Sequence, residues 1–246
     1  MTFNPDQNIV WRIEVTPELT LVLNETLVFT WLVMILLVGL SILVARNLSR
    51  GAVIPGWQNL LEVLIIGIRD QIRDVSQQDP GRYLPFIGSL FLFIALSNLL
   101  AIVPGYQPPT GSLSTTTALA ICVFFAVPIY GISQSGVAAY FRQYLKPTIF
   151  MLPFNIVGEF SRTLALAVRL YGNIMSGTVI AGILLSFAPF FFPILMQILG
   201  LLTGMIQAYI FAILAMVYIA SATTAHGTNT GDLSANHPIK ECEEQK

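Results

Sequence analysis

Two near-continuous apolar stretches, residues 153–187 and 190–222, set the terms on which this chain folds. In hydrocarbon, backbone N–H and C=O groups must be satisfied within the protein, so apolar runs of this length are expected to be helices. At 1.5 Å per residue, about 34 helical residues extend roughly 50 Å, against a hydrocarbon core of about 30 Å. Such helices cannot stand upright; they tilt, bend or project into water. With only a short connection at Ala188 and Pro189 between them, they are expected to form an antiparallel hairpin that offers a lengthwise edge to a neighbour.

The remainder of the chain fits the same setting. Hydrophobic residues make up 55% of its 246 residues and charged ones 10%, with a mean hydropathy of +0.74. A soluble domain carries about 25% charged residues. Further apolar stretches long enough to span lie at residues 25–45, 83–103 and 114–135. Between the first two, residues 57–79 place Leu60, Leu61, Leu64, Ile65, Ile68 and Ile72 at helical spacing, opposite Arg69, Asp70, Arg73 and Asp74. That is the pattern of an amphipathic helix lying in the interface. The expected fold class is all-α integral membrane, with about five membrane helices plus this interfacial helix, the last two helices forming a long, steeply tilted hairpin. The expected organisation is a polar N-terminal segment (1–23), a single membrane domain (24–225) and a polar tail (226–246). Residues 1–22 mix Asp6, Arg12, Glu14 and Glu18 with prolines and do not read as a signal peptide. Cys122 is in an apolar run and Cys242 in the tail, so no disulfide is expected.

Residues 46–82 carry five Lys or Arg, and Arg142 and Lys146 occupy the next connection on that side, whereas the connections 104–113 and 188–193 carry none. The positive-inside rule then puts the N-terminus outside and the C-terminus in the cytoplasm. No basic cluster suggests nucleic acid, and no Gly-x-x-x-x-Gly-Lys-Ser/Thr loop suggests nucleotide binding. No cofactor, metal site or catalytic residue is expected. His226 and His237 read as solvated tail residues.

The costliest residue is Arg169, in the middle of the apolar residues 164–187. A guanidinium keeps its proton at any biological pH, and burying one at a helix centre costs roughly 2.5–3.5 kcal/mol or more. No acid occurs anywhere in residues 164–225, so its counter-charge is expected from another subunit. Asn155, Glu159, Arg162, Leu166, Arg169 and Asn173 recur three or four apart, on one helix face continued by Ser176 and Gly177. Gly172 and Ser176 form a small-xxx-small pair. On the second long helix Gln197, Gly200, Gly204, Gln207 and Phe211 share a face, with Thr203 one turn before Gln207. Glu159 and Arg162 stand at i and i+3, the spacing of an ordinary ion pair. Asn173 and Gln207 read either as interhelical hydrogen-bond glue or as parts of an ion path. Ser112, Ser114, Thr115, Thr116 and Thr117, at the start of the third span, read either as capping or as the lining of a wet cavity.

Arg-Leu-Tyr-Gly-Asn from Arg169, preceded by Leu-Pro-Phe-Asn at residues 152–155, resembles the signature of subunit a of F-type ATP synthases. Ile-Gln-Ala-Tyr-Ile-Phe at residues 206–211 and Ser-Asn-Leu-Leu with Val-Pro-Gly at residues 97–105 are similar to it too. The resemblance implies an ion-conducting stator subunit, without catalysis of its own, in a bacterial inner membrane. It sits beside a ring of c subunits that carry embedded carboxylates, and b-type peripheral stalk subunits are further implied partners. Arg169 matches the essential arginine, Asn173 the asparagine after it and Gln207 the glutamine facing that arginine. Two offset half-channels would then deliver ions to the ring and remove them, with Arg169 between them; Ser112, Ser114, Thr115, Glu159, Thr178 and Thr203 are candidate lining residues.

The chain also departs from the pattern. Many relatives have an acid where this chain has Ser112, Glu or His where it has Thr178, and His or Glu where it has Gly200. Neutral groups thus replace three that relay protons. The family implies proton transport; hydroxyl and carbonyl oxygens would also suit Na+. A self-contained secondary ion transporter is the rival reading of the polar-faced hairpin, although no internal repeat supports it.

Overall fold

Each of the five apolar stretches is a helix, and so is the amphipathic segment between the first two. The structure is a computed structural model that describes residues 9–16, 19–46, 56–76, 79–103, 106–137, 151–187 and 192–224. Helix α1 runs Glu25–Arg46, α2 Gly56–Ser76, α3 Leu84–Leu100, α4 Leu113–Ser135, α5 Met151–Phe187 and α6 Phe192–Thr224. By length and composition α1, α4, α5 and α6 can cross a membrane, and α3 is a shorter apolar helix of 17 residues. The all-α membrane class therefore holds. Helices α5 and α6, with 37 and 33 residues, extend about 55 Å and 50 Å. Arg50, Arg142, Lys146, the connection at Ala188 and Pro189, and the tail with His226, His237 and Cys242 lie outside the described residues.

The N-terminal segment adds an element that the charge count concealed. Strands β1 (Ile9–Thr16) and β2 (Leu19–Asn24) pair antiparallel, with Arg12 opposite Val22 and Ile13 opposite Leu21. The second strand leads directly into α1.

Local signals set the helix ends. Asp79 accepts the Gly81 N–H at 3.2 Å and caps a 3-10 turn at Pro80–Arg82, which leads into α3 with proline in its first turn. Helix α4 stops at Gly136, whose φ of 80° is costly for any residue with a Cβ, and its N–H donates to the Ile132 carbonyl at 2.8 Å. Helix α2 buries Ile72 and half-buries Leu64 and Ile68, with Arg69, Asp70, Arg73 and Asp74 exposed, and packs against α3 and α6.

Helices α3, α4, α5 and α6 meet around Ile94, Val123, Leu166, Leu170, Phe211, Met216 and Ile219, each at most 1% exposed. Between membrane helices, burial alone gives little net drive, since lipid is as apolar as leucine; close packing and interhelical hydrogen bonds decide the arrangement. Several such bonds are present. Tyr83 Oη donates to Gln134 Oε1 at 3.1 Å, joining the start of α3 to the end of α4. Gln197 Nε2 donates to the Ile102 and Ala101 carbonyls at 3.1 and 3.3 Å, joining the start of α6 to the end of α3.

Candidate functional site

Spacing on α5 places Gly158, Arg162, Ala165, Arg169, Gly172 and Ser176 on one side, and all six are exposed. Just around the helix Leu166 and Leu170 are buried, so Leu166 leaves the polar face on which spacing alone put it. Arg169 stands at this border between open surface and packed interior. Among the described residues no carboxylate pairs with it. On α6, Leu195, Ile198, Leu202, Met205, Ile206 and Tyr209 are exposed large apolar residues. An apolar surface of this extent, carrying a permanent cation, is a surface for another protein or for lipid.

The two long helices are antiparallel, as expected. Residues 173–181 of α5 face residues 196–204 of α6, and residues 154–163 face residues 218–222, across two separate cavities. Asn173 Nδ2 donates to the Thr203 carbonyl at 3.3 Å, so Asn173 does act as an interhelical bond. One turn before Asn173 and one turn after Thr203 reach the same height in an antiparallel pair; those residues are Arg169 and Gln207. Gln207 is 6% exposed, and its Nε2 finds no hydrogen-bond partner among the described residues. A buried amide donor left without a partner costs about 1–3 kcal/mol.

The first cavity, about 580 Å³, lies between the end of α3, the loop after it, the second half of α5 and the first half of α6. Its walls include Asn98, Tyr106, Asn173, Thr178, Gln197, Gly200 and Thr203. The Thr178 hydroxyl donates to the Ile174 and Met175 carbonyls at 2.9 Å each, and that of Thr203 to the Leu199 and Gly200 carbonyls at 2.9 and 3.1 Å. Both hydroxyls thus spend their proton on their own helix and offer the cavity an acceptor oxygen. Burial pushes the Tyr106 phenol above its usual range, and the Ser97 hydroxyl offsets only part of that, so the phenol stays protonated.

The second cavity, about 500 Å³, lies at the other end of the hairpin, among α4, the first half of α5 and the last turns of α6. Glu159, Arg162, Asn155, Thr163, Tyr218 and Ser221 line it. Arg162 lies over the Tyr218 ring, its Cζ 5.7 Å from the ring centroid, a cation–π geometry between α5 and α6. Sequence spacing suggested only its own-helix neighbour Glu159; nothing in the order of residues showed Tyr218 opposite. Asn98 stands in the Ser-Asn-Leu-Leu motif, but nothing in the order of residues showed Gly204 opposite it.

The expected lining residues therefore divide. Thr178 and Thr203 join Asn173 at the first cavity, and Glu159 lies in the second. Ser112, Ser114 and Thr115 are not among the residues lining either one. Ser112 takes the N-cap position of α4 without a side-chain capping bond, and its Oγ lies 2.6 Å from that of Ser114.

The profile of the family described as "ATP synthase A chain" matches residues 27–220. The chain is 64% identical over 223 residues to "ATP synthase subunit a 2" of Acaryochloris marina, covering 91% of this chain and 93% of the relative. It is 58% identical over 224 residues to "ATP synthase subunit a 2" of Picosynechococcus sp., covering 91% and 94%. It is 56% identical over 231 residues to "ATP synthase subunit a" of Nitrosospira multiformis, covering 94% and 90%.

Proposed function

The chain belongs to the ATP synthase A chain family, and from that premise we propose that it is the ion-conducting stator subunit of a rotary F-type ATP synthase. It works as one component of that complex and is multi-pass in a bacterial inner membrane. Its further partners are the c ring, bound along the exposed side of α5 and α6, and b-type stalk subunits. With the N-terminus outside, the first cavity opens outward and the second opens to the cytoplasm.

The observation that carries this reading is the placement of Arg169 between the two cavities, on the exposed side, with no carboxylate of the described chain beside it. An ion arriving through the first cavity neutralises a ring carboxylate, which then moves round within lipid. On its way back to the stator the carboxylate releases the ion into the second cavity and meets Arg169. An opposite charge at close range in low dielectric favours the ionised acid, so the guanidinium makes release favourable. The same charge repels a cation trying to cross directly between the cavities. Gln207, at the same height, supplies a buried amide beside the carboxylate's path. Each elementary charge crossing supplies roughly 2.3 kcal/mol per 100 mV, so several must cross for each ATP made.

In the assembled complex Arg169→Ala is expected to reduce ion-driven ATP synthesis by about 100-fold or more, the scale of losing one preorganised electrostatic group. Synthesis near the wild-type rate would remove the reading.

The ion is a proton on family grounds. One observation favours Na+ as the second reading: among the described residues, the first cavity's lining has neutral oxygens and no carboxylate or imidazole. ATP hydrolysis that requires Na+ and ignores a pH gradient would decide for Na+.

A further inference from the structure

We infer that Asn98 is a positioning residue for ion transfer, holding the turn of α6 that presents Gln207, and that Gly204 is the point of close approach that lets it do so. The inference rests on the stator reading above and adds a residue to it. Asn98 is 5% exposed. Its Nδ2 donates to the Gly204 carbonyl at 2.8 Å, and its Oδ1 accepts from Thr110 Oγ1 at 3.4 Å. Thr110 in turn lies 3.4 Å from the buried Ser97 hydroxyl, so the amide is engaged at both ends. A Cβ at residue 204 would stand 2.9 Å from Asn98 Cγ and 3.1 Å from its Cβ, closer than carbon atoms pack; only glycine fits.

The same turn is held from its other side. Asn173 of α5 binds the Thr203 carbonyl and Asn98 of α3 binds the next carbonyl, Gly204. Two successive carbonyls gripped by two different helices fix both the rotation of α6 and its sliding along α5. Gln207 lies one turn further on, buried, with its Nε2 unpartnered among the described residues. Its amide is therefore placed by the backbone beneath it. Releasing Asn98 leaves the turn held by the longer Asn173 bond alone, and Gln207 loses its height relative to Arg169.

The test is made in the assembled complex, with ion-driven ATP synthesis expressed per complex that contains this subunit. Asn98→Leu keeps the bulk and removes the donor; Asn98→Ser keeps a shorter donor. Asn98→Leu is expected to lower synthesis per complex about tenfold or more, since misplacement by about 1 Å is enough for such losses, while ATP hydrolysis uncoupled from rotation against the stator continues. Asn98→Ser is expected to retain more activity than Asn98→Leu. Gly204→Ala, which adds one methyl group, is expected to match Asn98→Leu and carries the test if that variant does not assemble. Full synthesis per complex in Asn98→Leu or Gly204→Ala would overturn the inference. So would a deficit wholly accounted for by fewer assembled complexes, since that is what a purely structural bond produces. Arg169→Ala measured alongside separates the two levels: activity there removes the stator reading, whereas its loss with Asn98→Leu intact removes only the role of Asn98.

Discussion

At the scale of single residues, the chain combines one permanent charge with several neutral polar groups, and geometry decides which of these act. Arg169 gave itself away in sequence because a guanidinium cannot be neutralised and no acid follows it through residue 225. Asn173 and Gln207 were ambiguous in sequence. The structure separates them, since Asn173 spends its amide on the Thr203 carbonyl whereas Gln207 Nε2 remains unpartnered among the described residues. Asn173→Leu is accordingly expected to cost the complex about 0.6 kcal/mol in stability, the mean for interhelical hydrogen bonds in membranes. Gln207→Leu is expected to leave stability unchanged or raise it while ion-driven synthesis falls. Thermal denaturation and ATP synthesis of the two variants, measured together, check this; a larger stability loss for Gln207→Leu would contradict it. Tyr218→Leu removes the ring beneath Arg162 and is expected to cost about 0.5–1 kcal/mol by the same denaturation assay. Asn98 stands in a motif the sequence already showed, but the partners of Asn98 and Tyr218 were not legible there, because each lies more than fifty positions away and only packing brings it close.

At the scale of elements, hydrophobic periodicity carried most of the information. The six helices among the described residues begin and end within a few residues of where apolar stretches and punctuation put them, and α5 and α6 have the excess length that makes a long hairpin. Two things were missed. The alternation of β-branched and apolar residues in Ile9–Thr16 and Leu19–Asn24 signals a hairpin, but attention to its charges made the segment read simply as polar. The hydroxyl run from Ser112 read either as capping or as the lining of a wet cavity; Ser112 has the extended backbone of an N-cap, yet it makes no side-chain capping bond, its Oγ lying 2.6 Å from that of Ser114, and Ser112, Ser114 and Thr115 line neither cavity. The exposed side of α6 is the element with the most to lose. Leu202→Asp places a charge there, at roughly 2.5–3.5 kcal/mol near a helix centre. The variant is expected to lower the yield of subunit recovered with the ring, and normal recovery would argue that this side of α6 faces something else.

At the scale of the whole molecule, the proposed function makes the two cavities and the intervening arginine a half-site for a rotor to complete. A self-contained transporter would hold its ion site within one chain. Here, among the described residues, Glu159 is the only acid lining either cavity, and it lies at one end. The purified chain reconstituted without partners is therefore expected to show no coupled ion uptake; robust uptake would favour the transporter. The central claim is contact between the Arg169 side of α5 and the carboxylate-bearing helix of a moving ring. Its most direct measurement is disulfide formation in the complete complex, with Cys122 and Cys242 replaced by serine, Gly172→Cys on α5, and a single cysteine placed one turn from the ring carboxylate. The expected result is a ready cross-link that stops ATP synthesis and is reversed by reductant. A complex that makes ATP at full rate under oxidising conditions, with no cross-link from this side of α5, would contradict it.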